Sequence, residues 1–198
     1  MMHILDVSGA DSSGHVQHLS ILCRQDTPHR ATRQYSPSLS LQIGDTVSGL
    51  AERVYDDGEW PELLPFLFEC VQSNQPRQME SALRIFADLA GFIMPVLLPH
   101  VNVLREQLAR CMSHQETDVK IAGLSATTSF IRELDEDSDR NKFQDLIPVM
   151  LQSVSSILST EEQDSAEEAL EAFIEIAEAH PTFLRRQLDV VVNNMLQV

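Results

Sequence analysis

From Ile43 onward the apolar residues recur at helical spacing, and no period-2 alternation competes with them. Val47, Leu50, Ala51 and Val54 share one face of a helix predicted over 43–55, with Asp45 near its N-terminus and Asp56-Asp57-Gly58 closing it. Trp60-Pro61-Glu62 opens the next helix with proline in its first turn, where the missing N–H costs nothing, and Leu64, Leu67, Phe68 and Val71 line its inner side. After the turn Ser73-Asn74-Gln75-Pro76, the stripe Met79, Ala82, Phe86 and Leu89 answers it, with Gly91 as the expected end. A second pair follows from about Met94 to Met112, with Leu97, Val101, Leu104, Leu108 and Cys111 returning through Val119, Ala122, Ala126 and Phe130. In a third, Ile147, Met150, Val154 and Ile157 are answered by Ala166, Ala169, Phe173 and Ile176. A last helix starts at His180-Pro181 and carries Phe183, Leu184, Leu188, Val191, Val192 and Met195.

The helix pairs share a landmark: a Leu-Leu-Pro or Leu-Ile-Pro at Pro65, Pro99 and Pro148, each followed by an alanine-centred stripe at Ala82, Ala122 and Ala169. Helix pairs repeating every 34 to 49 residues cannot bury their apolar faces singly and must stack on their neighbours. The expected fold is therefore all-α, a right-handed α-solenoid of HEAT repeats in an armadillo-like superhelix. Its expected divisions are a return helix over 43–55, pairs over 60–91, 94–133 and 143–179, and a lone helix over 181–197. Val191-Val192 and Met195-Leu196 stand where a solenoid would carry a polar cap, which predicts a segment of a longer superhelix.

Residues 1–42 show no sustained period and contain Thr27-Pro28 and Ser36-Pro37, so they are expected to be a poorly ordered leader outside the repeats. Charge sharpens this boundary. In the leader Arg24, Arg30 and Arg33 cancel Asp6, Asp11 and Asp26, so the net charge of −16 belongs wholly to residues 43–198. An acidic body repels phosphate backbones and attracts lysine- and arginine-rich partners, which argues against nucleic acid as a ligand, although charge also serves solubility alone.

Chemistry is sparse. Cys23, Cys70 and Cys111 form no pair or CxxC, and the last two fall in apolar stripes, as buried thiols of a reducing compartment do. His15, His18, Cys23 and His29 match no zinc spacing, and Leu134 to Asp139 lacks the glycine and bidentate glutamate of a calcium loop. No nucleophile elbow, P-loop, HExxH or dinucleotide turn occurs, so neither an enzyme, a cofactor nor a metal is expected. Nor is a secretory leader or a membrane span expected, because prolines or charges break the longest apolar runs.

Five strings then coincide in order: Gly44 to Ala51 (GDTVSGLA), Glu59 to Phe66 (EWPELLPF), Asp118 to Ala122 (DVKIA), Phe143 to Pro148 (FQDLIP) and Pro181 to Leu188 (PTFLRRQL). Together they resemble the importin-beta family over about residues 43–198. The resemblance implies a HEAT-repeat nuclear transport receptor, or karyopherin, that shuttles between cytoplasm and nucleus. Such a receptor carries basic cargo, contacts the phenylalanine-glycine repeats of pore proteins and releases cargo to Ran-GTP. The match begins near the return helix of a third repeat, whereas the family's first repeats form its main Ran-binding arch. Ran-dependent release is therefore not expected of this segment alone.

Return helices line the concave, cargo-binding face in such receptors, which directs attention to Asp164, Glu167, Glu171, Glu175 and Glu178. Their spacings of 3, 4, 4 and 3 put them on one face of the third return helix. Like charges four apart cost about 0.2–0.5 kcal/mol per pair, so such a stripe calls for a basic surface to neutralise it. Glu80, Arg84 and Asp88 occupy comparable places on the first return helix, while the second offers Lys120, Leu124 and Thr128, so no code repeats. A solvated acidic face is the competing reading, and a HEAT scaffold of a multiprotein assembly is the competing function. Trp60 reads as a hydrophobic staple, and the acidic Leu134 to Asp139 as an inter-repeat turn. Phe66, beside the core stripe, is where the resemblance would place a pocket for phenylalanine-glycine repeats.

Overall fold

A computed structural model describes residues 62–159 and 163–195. The predicted helix at 43–55, the leader and Trp60 lie outside them. Ten α-helices occur among the described residues, and no strand. In chain order they are α1 (Leu63–Gln72), α2 (Pro76–Asp88), α3 (Ala90–Leu97), α4 (Val101–Met112), α5 (Thr117–Arg132), α6 (Asp137–Arg140), α7 (Ile147–Leu158), α8 (Gln163–Ala179), α9 (Pro181–Leu184) and α10 (Leu188–Met195).

Helices α1/α2, α4/α5 and α7/α8 pack as pairs, with α4 also against α7 and α7 against α10 in one layer, and α2 against α5 against α8 in the other. This is a two-layer stack of helix pairs, the all-α solenoid expected from the repeat. The apolar stripes fill the space between the layers: Leu67, Val71, Met79, Ala82, Phe86, Leu104, Leu108, Cys111, Val119, Ala122, Phe130, Ile147, Met150, Ile157, Ala169 and Ile176 are all buried. Each large aliphatic or aromatic side chain so buried contributes about 1.5–3 kcal/mol of hydrophobic stabilisation. Ala166 is only half-buried, and Phe66 and Phe68 lie half-buried against the core.

The joints between pairs differ from the periodic reading. Gly91 does not end the second helix: α2 stops at Asp88, and Gly91 lies inside α3. Leu89, at φ −89° and ψ 0°, is the hinge. Its N–H still bonds Ile85 O while its C=O accepts from Ile93 N, both at 3.0 Å, so the chain turns by 94° without losing a backbone hydrogen bond there. The stretch from Met94 to Met112 is likewise two helices, with a 3-10 turn at Leu98–His100. The same device recurs twice. A one-turn helix and a 3-10 segment precede each later outer helix, at Asp137–Arg140 with Asn141–Leu146 and at Pro181–Leu184 with Arg185–Gln187. The acidic segment from Leu134 to Asp139 is thus partly helical, and the final helix, expected as one piece over 181–197, is broken within the described residues 181–195.

Buried arginine holds one joint together. Arg140, 4% exposed, donates through Nε to Ile131 O at 3.4 Å, through Nη2 to Leu134 O and to Asp135 O at 3.2 Å, and through Nη1 to the Asp137 carboxylate. It thereby satisfies the Ile131 carbonyl in the last turn of α5 and two carbonyls of the segment just beyond, where a cation also meets the negative end of the helix dipole. Between the outer helices α1 and α4, Arg110 Nη2 donates to Val71 O, near the end of α1.

Candidate functional site

Helix α8 turns Ala169, Ala172, Phe173 and Ile176 into the core, and a helix that buries one stripe must present the opposite one to solvent. Asp164, Glu167, Glu171 and Glu178 are exposed there, and Glu175 is half-exposed. The five carboxylates therefore form a continuous acidic ridge on the layer that also contains α2 and α5. Asp164 stands in the first turn, where the helix dipole favours a negative charge, but Glu178 stands in the last, where it does not.

Neighbouring helices neutralise only the flank of this ridge that faces them. Arg132 of α5 pairs with Glu175 at 2.8 Å, and the His180 ring at the end of α8 lies 3.2 Å from Arg132 O. Arg84 of α2 pairs with Glu80 at 3.1 Å and reaches Glu168 of α8 at 3.8 Å. Such part-exposed pairs are individually worth at most about 1 kcal/mol. Glu167 accepts a hydrogen bond from Gln163 at 2.9 Å. Among the described residues no ion pair is formed by Asp164, Glu167, Glu171 or Glu178, so the uncompensated charge lies on the side of α8 away from Arg84 and Arg132.

Glu80 and Asp88 do not join this ridge. Glu80 is half-buried and committed to Arg84, and Asp88 is the exposed last residue of α2. Glu168, Arg84 and Arg132 complete the electrostatics without having been singled out as site residues. Their relation to the ridge depends on helix stacking, and only the same-helix spacing of Glu80 and Arg84 was legible beforehand.

Among the described residues no group of three or more His, Cys, Asp or Glu is placed to hold a metal ion. The His15, His18, Cys23 and His29 set lies outside them. No single described helix is long and apolar enough to cross a membrane. Cys70 and Cys111 are buried and outside any disulfide, and burial pushes the Cys111 thiol up to about 11 against a smaller lowering by the Arg110 charge, which leaves it protonated and unreactive near neutrality.

Residues 36–194 match the family described as "IPO5-like, TPR repeats". The chain is 28% identical over 156 residues to importin subunit beta-3 of Saccharomyces cerevisiae, covering 78% of this chain and 14% of that protein. To the probable importin-5 homolog of Dictyostelium discoideum it is 22% identical over 157 residues, with the same coverages of 78% and 14%. The crystal structure of Kap121p superimposes with a TM-score of 0.67 at 25% identity, over 96% of this chain and 17% of that one. The chain thus spans about one-seventh of the length of these curated relatives. TPR and HEAT units are both antiparallel helix pairs, and the two-layer stack described above is the architecture they share. Matched through most of its length and folded as a helical-repeat segment of a karyopherin, the chain belongs to the importin-5-like group of the importin-beta family of nuclear transport receptors.

Proposed function

We propose that this chain is a cargo-recognition segment of a nuclear transport receptor and that the acidic ridge of α8 takes lysine- and arginine-rich segments of proteins bound for the nucleus. The observation that carries this reading is the run of carboxylates at Asp164, Glu167, Glu171 and Glu178, exposed and without ion-pair partners among the described residues. Gathering like charges on one helix is unfavourable until a polycation arrives, and the −16 charge of the whole chain steers such a partner toward it. Glu80 and Asp88 lie on a neighbouring helix of the same layer and extend the negative field rather than the contact surface. Solved complexes of the similar Kap121p contain Nup53p, the SUMO protease Ulp1p and RanGTP. By analogy, partners of this chain include cargo proteins, phenylalanine-glycine pore proteins and, in the longer receptor, Ran-GTP, with residence in both cytoplasm and nucleus. Catalysis and nucleic-acid binding form no part of this function.

The test replaces Glu167, Glu171 and Glu178 by glutamine. Glu175 is spared, because its loss would release Arg132 and add a new positive charge. Glutamine keeps bulk and helix propensity, so far-UV circular dichroism should not change. Affinity for a lysine-rich nuclear-localisation peptide should fall roughly tenfold at low salt, with the difference shrinking at 0.5 M salt as ions screen it. Equal affinities at low salt would leave the ridge as a solvated surface and favour a scaffold role.

A further inference from the structure

The joint between the third helix pair and α10 holds a feature of opposite sign to the ridge. A cavity of about 300 Å³, room for about ten waters, is lined by Arg140, Arg185 and Arg186 with Asp137, Asn141, Thr182 and Phe183. The whole chain has only 14 lysines and arginines in a net-acidic sequence, yet three arginines line this one cavity. Their charges are not equally available. Arg140 is buried, spends most of its N–H groups on backbone carbonyls and is neutralised by Asp137. Arg185 and Arg186 are exposed and make no ion pair with any described carboxylate. The cavity therefore carries about two unopposed positive charges beside a buried Arg140 tied by hydrogen bonds to the end of α5 and the segment beyond it.

Conformation supports the placement. Arg185 and Arg186 occupy the 3-10 segment Arg185–Gln187, anchored by the buried Phe183 and Leu184 just before it. Gln144 Nε2 donates to Phe183 O at 2.7 Å and so ties that segment to the 3-10 turn leading into α7. Two guanidinium forks, the Asn141 amide and the Thr182 hydroxyl offer more donors than the two oxygens of a single carboxylate can use. A phosphate monoester, with three acceptor oxygens and nearly two charges at neutral pH, matches both donor number and charge. The exposure of Arg185 and Arg186 lets such a group enter while the chain that bears it stays outside.

We propose that this cavity is a binding site for a phosphate monoester carried on a peptide, a phosphoserine or phosphothreonine of a partner protein. It is separate from the acidic ridge, and either site can fail without the other. The experiment titrates the isotope-labelled full chain with a short glycine- and serine-flanked phosphoserine peptide, its unphosphorylated twin, and inorganic phosphate. The Arg185 and Arg186 Nε–H signals and the Thr182 amide report occupancy. The phosphopeptide should shift all of these saturably and bind at least tenfold more tightly than its twin. An Arg185→Gln, Arg186→Gln variant, both changes at exposed positions, should lower that affinity to the level of the twin. The Glu167, Glu171 and Glu178 glutamine variant should bind the phosphopeptide as well as the wild type or better. Equal binding of the two peptides, or undiminished binding by the double arginine variant, would overturn the proposal. Inorganic phosphate binding as tightly as the phosphopeptide would overturn the assignment to a peptide.

Discussion

Cys111 illustrates how much a single position depends on what closes over it. Its spacing from Leu104 and Leu108 marks it as inward-facing, but only the packing of α5 over α4 removes it from water altogether. The fold accommodates the neutral thiol, and burial pushes its pKa from about 9 to about 11. An acid whose folded pKa is raised contributes stability that is complete below the unfolded pKa and is lost as pH climbs to the folded one. Stability should therefore hold up to about pH 9 and then fall by about 2–3 kcal/mol by pH 11 on this account. Tyrosines and lysines titrate in the same window, so the measurement is urea unfolding at pH 8 and pH 10.5 for wild type and Cys111→Ala. A pH dependence as steep in the variant as in the wild type would refute the assignment to Cys111. Arg140 makes the complementary point: nothing in its sequence neighbourhood distinguishes it from the exposed arginines, because its burial arises from folding the joint back onto the end of α5.

Among the helices, α5 is the most enclosed, with α4 on its own pair and α2 and α8 on either side. Gly123 sits at its closest crossing. A Cβ there would come within 3.1 Å of Met112 Cγ, 3.3 Å of Met112 N and 3.4 Å of Cys111 Cβ. Glycine in a helix costs about 1 kcal/mol relative to alanine, so its presence is offset by the close approach it permits. Gly123→Val should destabilise the chain by about 1–3 kcal/mol through overpacking against a backbone atom that cannot rotate away. Chemical unfolding would show this as a lower midpoint, and a valine variant as stable as wild type would show that α4 yields. The long paired helices were legible, because their stripes have a period of 3.6 and few rivals, but the one-turn helix at Asp137–Arg140 reads in sequence as a turn. The joints were legible only in part. Leu89 is an ordinary residue whose break comes from where the next layer lies, whereas the break at Leu98–His100 has a local signal in Pro99, which has no N–H to continue the helix.

Across the whole stack, Phe86 links interfaces that the solenoid needs at once. Its ring lies 5.3 Å from Phe68 of α1, within its own pair, and 6.1 Å from Phe130 of α5, in the next. In a linear array, stability is the sum of the repeats and the interfaces between neighbours. Phe86→Ala should thus cost about 3–5 kcal/mol and, by weakening the coupling between pairs, broaden the urea transition into a shallower slope. A loss below about 1 kcal/mol with an unchanged slope would mean that the pairs are coupled elsewhere. The acidic ridge belongs to this scale as well. Its five carboxylates could be placed on one helix face from spacing alone, but that Glu175 alone among them is compensated depends on Arg132 arriving from α5.

Periodicity and charge carried the helix pairs, their stacking into a solenoid, the inward stripes and the acidic face, because each depends on residues within a few turns of one another. The four strings that fall at least partly among the described residues also carried the family, since they preserve an order of local helix starts. Tertiary structure alone decided the 94° hinge at Leu89, the broken outer helices, the burial of Arg140, the partners of Glu168 and Glu175, and the cavity shared by Arg140, Arg185 and Arg186. The ion pairs and the cavity join residues more than forty positions apart. Their energies come from desolvation and from geometry across the stack, which no local window of sequence contains.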